Sequence, residues 1–383
     1  MKGKSLTILA VAAVLLVSLA ILSRQRSGRQ PAASPAGKIL PGLAVNEVQS
    51  FEIRTPSGTT TVARLDGLWR IAEKFQYPAD FDKVRSLLNK LASLKSLRTL
   101  ETTPQQRADL HLVDGVSEPA KQPSVITLRN SSGGVMETLV LGKERLREGE
   151  GAGPYGGYPD SRFVATRSGT IHLAGETLEE AMPLPRSWMD EEFISIPAEE
   201  ILSLEVTGTT NGAIRLTRTS GTTPFTLPSI PEGREADETR ISRLTSALAY
   251  LRFDDVADPK ADPAALGLQQ PVRLTASTSK GVTCTIQVGQ PLSQEGKRPV
   301  TVTLSHTPPA LPADPAASTN NPATTLSEQN AKTAADVARL SGKLRSWTYV
   351  LGKYEAESLI LGYSDLLKDK SAPGATPETI AKP

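Results

Sequence analysis

Apolar and polar residues alternate along Asn46–Ile53 (NEVQSFEI) and again along Glu199–Val206 (EEILSLEV), the period-two pattern of a half-buried strand. A turn signal follows each, Thr55-Pro56-Ser57-Gly58 in the first stretch and Thr219-Ser220-Gly221 in the second. Short strand patterns come next, Leu68–Ile71 (LWRI) and Pro224–Leu227 (PFTL). The period then changes to that of a helix. Asp80, Val84, Leu87, Leu91 and Leu94 recur as Asp237, Ile241, Leu244, Leu248 and Leu251, all at one constant offset. Each Asp stands where an N-cap carboxylate accepts the orphan amides of a first turn. The apolar positions then fall at i, i+3, i+7 and i+10, one helical face that has to be buried, while Lys83, Arg85, Lys90 and Lys95 take the other side of the first helix.

More strand patterns follow each helix. Val125–Arg129 and Glu137–Leu141 answer to Val272–Ala276 and Cys284–Val288, and the second member of each pair runs into a glycine, Gly142 or Gly289. Arg162–Thr166 answers to Pro299–Leu304. The tripeptide Arg186-Ser187-Trp188 returns letter for letter as Arg345-Ser346-Trp347 in a chain with three tryptophans. Each copy therefore reads β-β-β-α followed by a run of strands, and a repeat of this kind organises the whole fold. Hairpin-length connections make the sheets mostly antiparallel, with one helix covering a face. The predicted class is α+β, with an N-terminal membrane helix followed by two tandem, duplicated units. Repeat 1 is placed at residues 44–196 and repeat 2 at 197–365; an insertion at 306–330, rich in Pro, Ala, Thr and Asn, and a tail at 366–383 are expected to be disordered.

Leu6–Leu22 (LTILAVAAVLLVSLAIL) carries no charge and would span about 25 Å as a helix, the thickness of a thin bilayer core. Lys2 and Lys4 precede it as in a signal-peptide head, but Arg24 and Arg26 follow directly and no small-x-small site closes it. An uncleaved signal anchor is expected over residues 1–23, with a cleaved signal as the alternative. No lipobox cysteine is present, which argues against a lipid-anchored form. Charge is balanced across the segment; the short head favours a body outside the cytoplasmic membrane, in the periplasm of a bacterium. Residues 24–43 are expected to be a flexible linker.

Composition removes several function classes from the 383-residue chain. The 43 Lys and Arg against 41 Asp and Glu, a net charge of +2, give no footprint for nucleic acid. A single cysteine, Cys284, cannot build a disulfide framework or a thiolate zinc cluster, and its alternation with Ile286 and Val288 suggests a small buried strand residue. His111, His172 and His306 form no local ligand pair, and no metal or cofactor is expected. Gly151-Ala152-Gly153-Pro154-Tyr155-Gly156 has the spacing of a dinucleotide loop but lies between two strand patterns with no helix after it, so a hairpin tip is expected. Ser277-Thr278-Ser279-Lys280 matches the S-x-x-K of serine acyl enzymes, yet Lys280-Gly281 reads as a turn and the companion motifs are missing. The carboxylate pairs Asp254-Asp255 and Glu199-Glu200 and the run Asp190-Glu191-Glu192 point to opposite faces or splay, and are expected to be solvated. No catalytic residue is assigned. Arg186, Trp188, Arg345 and Trp347 remain as candidate anchors, either for a partner, since Trp and Arg dominate interface hot spots, or for the core of each repeat.

Trp69-x-Ile71, then Asp80-x-x-x-Val84-x-x-Leu87-x-x-x-Leu91, then Gly267-Leu268-x-x-Pro271 before a strand ending Val288-Gly289, resemble the bacterial domain-of-unknown-function family 4340. The first copy departs from it, with Leu110-His111-Leu112 in place of Gly-Leu and the proline moved to Pro123; the second has Phe225 in place of the tryptophan. The resemblance implies one membrane helix, two or more copies of the α+β unit, and a setting beside ABC-type transporters of the gliding-motility kind. It implies no catalytic residues. The expected function is a non-enzymatic, membrane-anchored accessory or scaffold protein. Its periplasmic body would contact an ABC permease, an ATPase and an auxiliary membrane protein. The alternative is a periplasmic ligand- or glycan-binding module using the cleft between the repeats.

Overall fold

The computed structural model describes residues 37–146, 157–292, 295–309 and 322–370, and the chain divides after Met189 into two units. The expected anchor at 6–22, the Gly151–Gly156 loop, the middle of the 306–330 insertion and the tail beyond 370 lie outside the described residues. Among the described residues no helix is long and apolar enough to cross a membrane. The class is α+β, and the strand pairings are antiparallel.

The first unit runs β1 (Ser50–Thr55), β2 (Gly58–Leu65), β3 (Leu68–Ile71), β4 (Tyr77–Pro78), α1 (Phe81–Ser93), β5 (Ser96–Leu100), α2 (Pro104–Asp109), β6 (Ser124–Arg129), β7 (Val135–Leu146), β8 (Pro159–Thr166) and β9 (Ile171–Ala174). Its nine strands form one sheet in the order β4-β3-β2-β1-β6-β7-β8-β9-β5. Helix α1 starts at Asp80, whose carboxylate accepts the amides of Asp82 and Lys83 at 2.9 and 3.1 Å. It buries Val84, Leu87, Leu88 and Leu91. Phe51, Ile53, Ile126, Leu128, Leu139, Leu141 and Val164, the inward residues of neighbouring strands, are also buried.

The second unit runs β10 (Ile201–Thr207), β11 (Ile214–Thr217), β12 (Arg234–Ala236), α3 (Glu238–Ala247), β13 (Asp255–Val256), β14 (Val272–Thr278), β15 (Val282–Val288), β16 (Arg298–His306), α4 (Pro322–Leu344), β17 (Tyr349–Leu351), α5 (Lys353–Leu359) and β18 (Leu367–Asp369). Seven strands form a sheet in the order β11-β10-β14-β15-β16-β17-β13, and β12 pairs with β18. Asp237 caps α3 as Asp80 caps α1, accepting the amides of Thr239 and Arg240 at 3.1 and 3.2 Å. The third strand expected at Pro224–Leu227 is reduced to one bridge, Thr217 to Thr226. Pro224 supplies no amide to a ladder, which shortens what can pair there.

Four expected boundaries are corrected. Residues 38–43 are not all linker: Ile39 and Leu40 are buried, and the Ile39 amide donates to the Leu94 carbonyl at 2.8 Å, closing the end of α1. The division falls at 189/190 rather than 196/197, because Phe193 packs at steep angles against Phe253 and Tyr349 with ring centroids 5.2 and 4.7 Å away. The insertion is partly helix. In α4, half-buried Leu326, Thr333, Val337 and Leu340 lead to fully buried Leu344 at helical spacing against β16, a stripe diluted by Ala, Ser and Thr in the sequence. The tail begins later than 366, since Leu366 is fully buried and β18 follows it.

The repeated tripeptide does not occupy equivalent places. Trp188 follows β9, and its carbonyl accepts the Asp80 amide at 2.8 Å; in the second unit the Asp237 amide donates at 2.8 Å to Leu366. Trp347 instead sits half-buried in the turn before β17.

Candidate interaction face

Side chains alternate across a strand, so the residues that skip the core form the outer face of each sheet. In the first unit Glu52 on β1 stands opposite Thr127 on β6, which stands opposite Thr138 on β7. In the second, Glu205 on β10 stands opposite Thr275 on β14, and the row continues through Thr285 on β15 to Thr303 on β16. The same Glu-Thr-Thr row thus occupies the same three neighbouring strands in both sheets. None of these residues belongs to the core; all are half-buried or exposed.

The second unit extends the row into a polar field. Ser203, Ser277, Thr283 and Ser305 form the row on one side of it, and Thr207, Arg273, Gln287 and Thr301 the row on the other. The hydroxyls of Thr275 and Thr285, and those of Ser277 and Thr283, lie 3.5 Å apart, at the limit of hydrogen bonding. Such hydroxyls are left with donor and acceptor capacity for something outside the sheet. Glu205 meets Arg215 at 3.5 Å with both side chains largely exposed. The face is hydroxyl-rich and carries few charges.

These rows escaped the sequence analysis because strand register is set by tertiary pairing. The signal available was the Thr-x-Thr spacing at Thr283-Thr285 and Thr301-Thr303, which marks outward positions once the strands are placed.

The residues singled out from sequence are placed elsewhere. Trp188 is fully buried, donates its indole N–H to the Met182 carbonyl at 2.8 Å and packs edge-on against Phe51 at 4.9 Å, so it closes a core. Arg186 is half-buried beside it, and in the second unit Arg345 is exposed beyond α4. Ser277 lies on β14 and Lys280 in the turn after it, where Lys280 is ion-paired with Glu200 at 2.5 Å. Cys284 is buried on β15, and burial pushes its thiol up to about 12, far from a nucleophile's range. Gly151–Gly156 falls between the paired strands β7 and β8 and is itself outside the described residues.

The acids expected to be merely solvated include an ion-pair cluster. Glu192 takes Arg339 of α4 on both oxygens at 2.9 and 2.7 Å, and Lys343 bridges Asp190 at 2.8 Å and Glu192 at 3.3 Å. The Arg339 guanidinium holds the Glu192 carboxyl down at about 2. Among the described residues no group of three or more His, Cys, Asp or Glu could hold a metal ion.

A family model described as a domain of unknown function, DUF4340, matches residues 69–271, just over half of the chain. The chain belongs to the DUF4340 family. No curated protein and no solved structure matches it. In this DUF4340 protein the match begins in β3 of the first unit and ends just before β14 of the second, so it takes in both capped helices.

Proposed function

We propose that this DUF4340 protein is a non-enzymatic accessory or scaffold protein. Its two units are copies of one ancestral unit, anchored by Leu6–Leu22 outside the cytoplasmic membrane and associated there with an ABC-type transporter. The observation that carries the reading is the Glu-Thr-Thr row at one register in both sheets. Residues shared by two copies are ordinarily explained by packing, but these face away from the core. A surface kept in common points to contact with partners. Three further correspondences support common ancestry. β2-β1-β6-β7-β8-β9-β5 and β11-β10-β14-β15-β16-β17-β13 run in the same order; the helix-capping Asp is held by a carbonyl in each unit; and Ile39 and Ile196 close their helices through matching amide bonds of 2.8 and 2.9 Å. The transporter setting comes from the family resemblance.

The test is purification of the tagged full-length protein from its native membranes in mild detergent, with mass spectrometry of what accompanies it. Wild type is expected to bring an ABC ATPase and permease in stoichiometric amount, and a Thr275→Lys/Thr285→Lys variant with unchanged circular dichroism is expected to lose them. A wild-type protein recovered alone overturns the reading.

A further inference from the structure

A recess of about 270 Å³ lies in the first unit, with Arg98, Leu100 and Phe163 from the sheet and Leu110 from the α2 segment among its walls. Arg98 and Phe163 both stand opposite Leu173 of β9, which puts them in one row on the outer side of the sheet, and Leu100 follows opposite Ile171. The α2 segment is fastened over this row. Thr103 and Gln106 close its first turn as a reciprocal capping box, and the Lys143 amide donates to the Leu110 carbonyl at 2.9 Å. Gly142 permits that approach, for a Cβ there would lie 2.4 Å from the Leu110 oxygen.

The recess combines three chemistries. Arg98 is half-buried, and among the described residues its buried Nε has no hydrogen-bond acceptor and its guanidinium makes no ion pair. A guanidinium in such a position offers a planar donor fork to an incoming carboxylate. Glu101 and Asp109 line the same recess as exposed carboxylates, so a plain anion would meet repulsion there, whereas an ammonium group would be attracted. Leu100, Leu110 and Phe163 supply apolar wall.

We infer that this recess binds a small zwitterion with an apolar side chain, the chemistry of an aliphatic α-amino acid. Its carboxylate sits on Arg98, its ammonium group faces Glu101 and Asp109, and its side chain lies against Leu100, Leu110 and Phe163. One site per chain is expected, because β13, which takes the place of β5 in the second sheet, has two residues where β5 has five. The site stands apart from the outer-face row and does not rest on the transporter reading.

Isothermal titration of the full-length detergent-solubilised protein with L-leucine tests this. Two analogues each lack one charge: 4-methylpentanoate has no ammonium group and 3-methylbutylamine no carboxylate. Leucine is expected to bind one to one, with both analogues at least about tenfold weaker, a difference of about 1.4 kcal/mol. Arg98→Gln is expected to abolish binding while its melting temperature stays within about 2 °C of wild type, since among the described residues the Arg98 side chain makes no hydrogen bond that would be lost. No heat and no thermal shift with leucine up to about 10 mM overturns the proposal, as does undiminished binding by Arg98→Gln. An analogue as strong as leucine overturns the zwitterion assignment.

Discussion

Replacing Trp188 by Ala and, separately, Trp347 by Ala measures whether identical tripeptides play identical roles. Trp188 has no exposed surface, its indole N–H is bonded to the Met182 carbonyl at 2.8 Å, and its ring lies edge-on to Phe51. Truncation leaves a cavity the sheet cannot close and strips Met182 of its donor, so a loss of about 3–5 kcal/mol is expected. For a unit of this size each kcal/mol lowers the melting temperature by about 2–4 °C, which puts the shift at roughly 6–20 °C. Trp347 is half-buried in a turn, and its loss is expected to cost about 1 kcal/mol. Leu366, which accepts the Asp237 amide as Trp188 accepts that of Asp80, is expected to resemble Trp188, with Leu366→Ala costing about 2–5 kcal/mol. Urea unfolding followed by far-ultraviolet circular dichroism gives all three values on one scale. Equal penalties at Trp188 and Trp347, with a small one at Leu366, would refute the structural correspondence.

Two further outcomes are expected. His111 closes the α2 segment at φ 57°, the left-handed conformation that Gly267 adopts at φ 64° in the second unit; His111→Gly should raise stability by about 0.5–1 kcal/mol, and a lower melting temperature would show that the imidazole contributes more than the strain removes. Glu192 holds its carboxyl at about 2 against an ordinary 4.5, so the stability it adds is present above about pH 4.5 and is lost as pH falls toward 2. With about 41% of the side chain exposed, the difference between wild type and Glu192→Gln should be no more than about 1 kcal/mol near pH 7 and should shrink with salt; a difference that persists at pH 2 would contradict the ion-pair assignment.

The helices were legible in the sequence because their information is local. An Asp at the cap and apolar residues at helical spacing specify start and buried face within one short stretch, and Asp80 and Asp237 both cap as expected, although α3 ends at Ala247, short of Leu248 and Leu251. The alternation of β1, β6, β10 and β14 was legible for the same reason. The matching tripeptides misled because letters carry no register: the carbonyl that meets the capped Asp is chosen by how the chain returns to the helix, and Leu366 serves there as well as Trp188. Helix α4 was hidden because Ala, Ser and Thr fill its packing stripe, and only contact with β16 makes that stripe a face. The candidate interaction row was invisible for a related reason, since Glu52 is distant in the chain from Thr127 and Thr138 and only strand pairing aligns them. The sequence by itself determined the α+β class, the two capped helices and the alternation of most strands, all set by interactions a few residues long. The tertiary structure alone decided the sheet order, the true ends of each unit and the Glu-Thr-Thr rows, because these depend on which strand lies beside which.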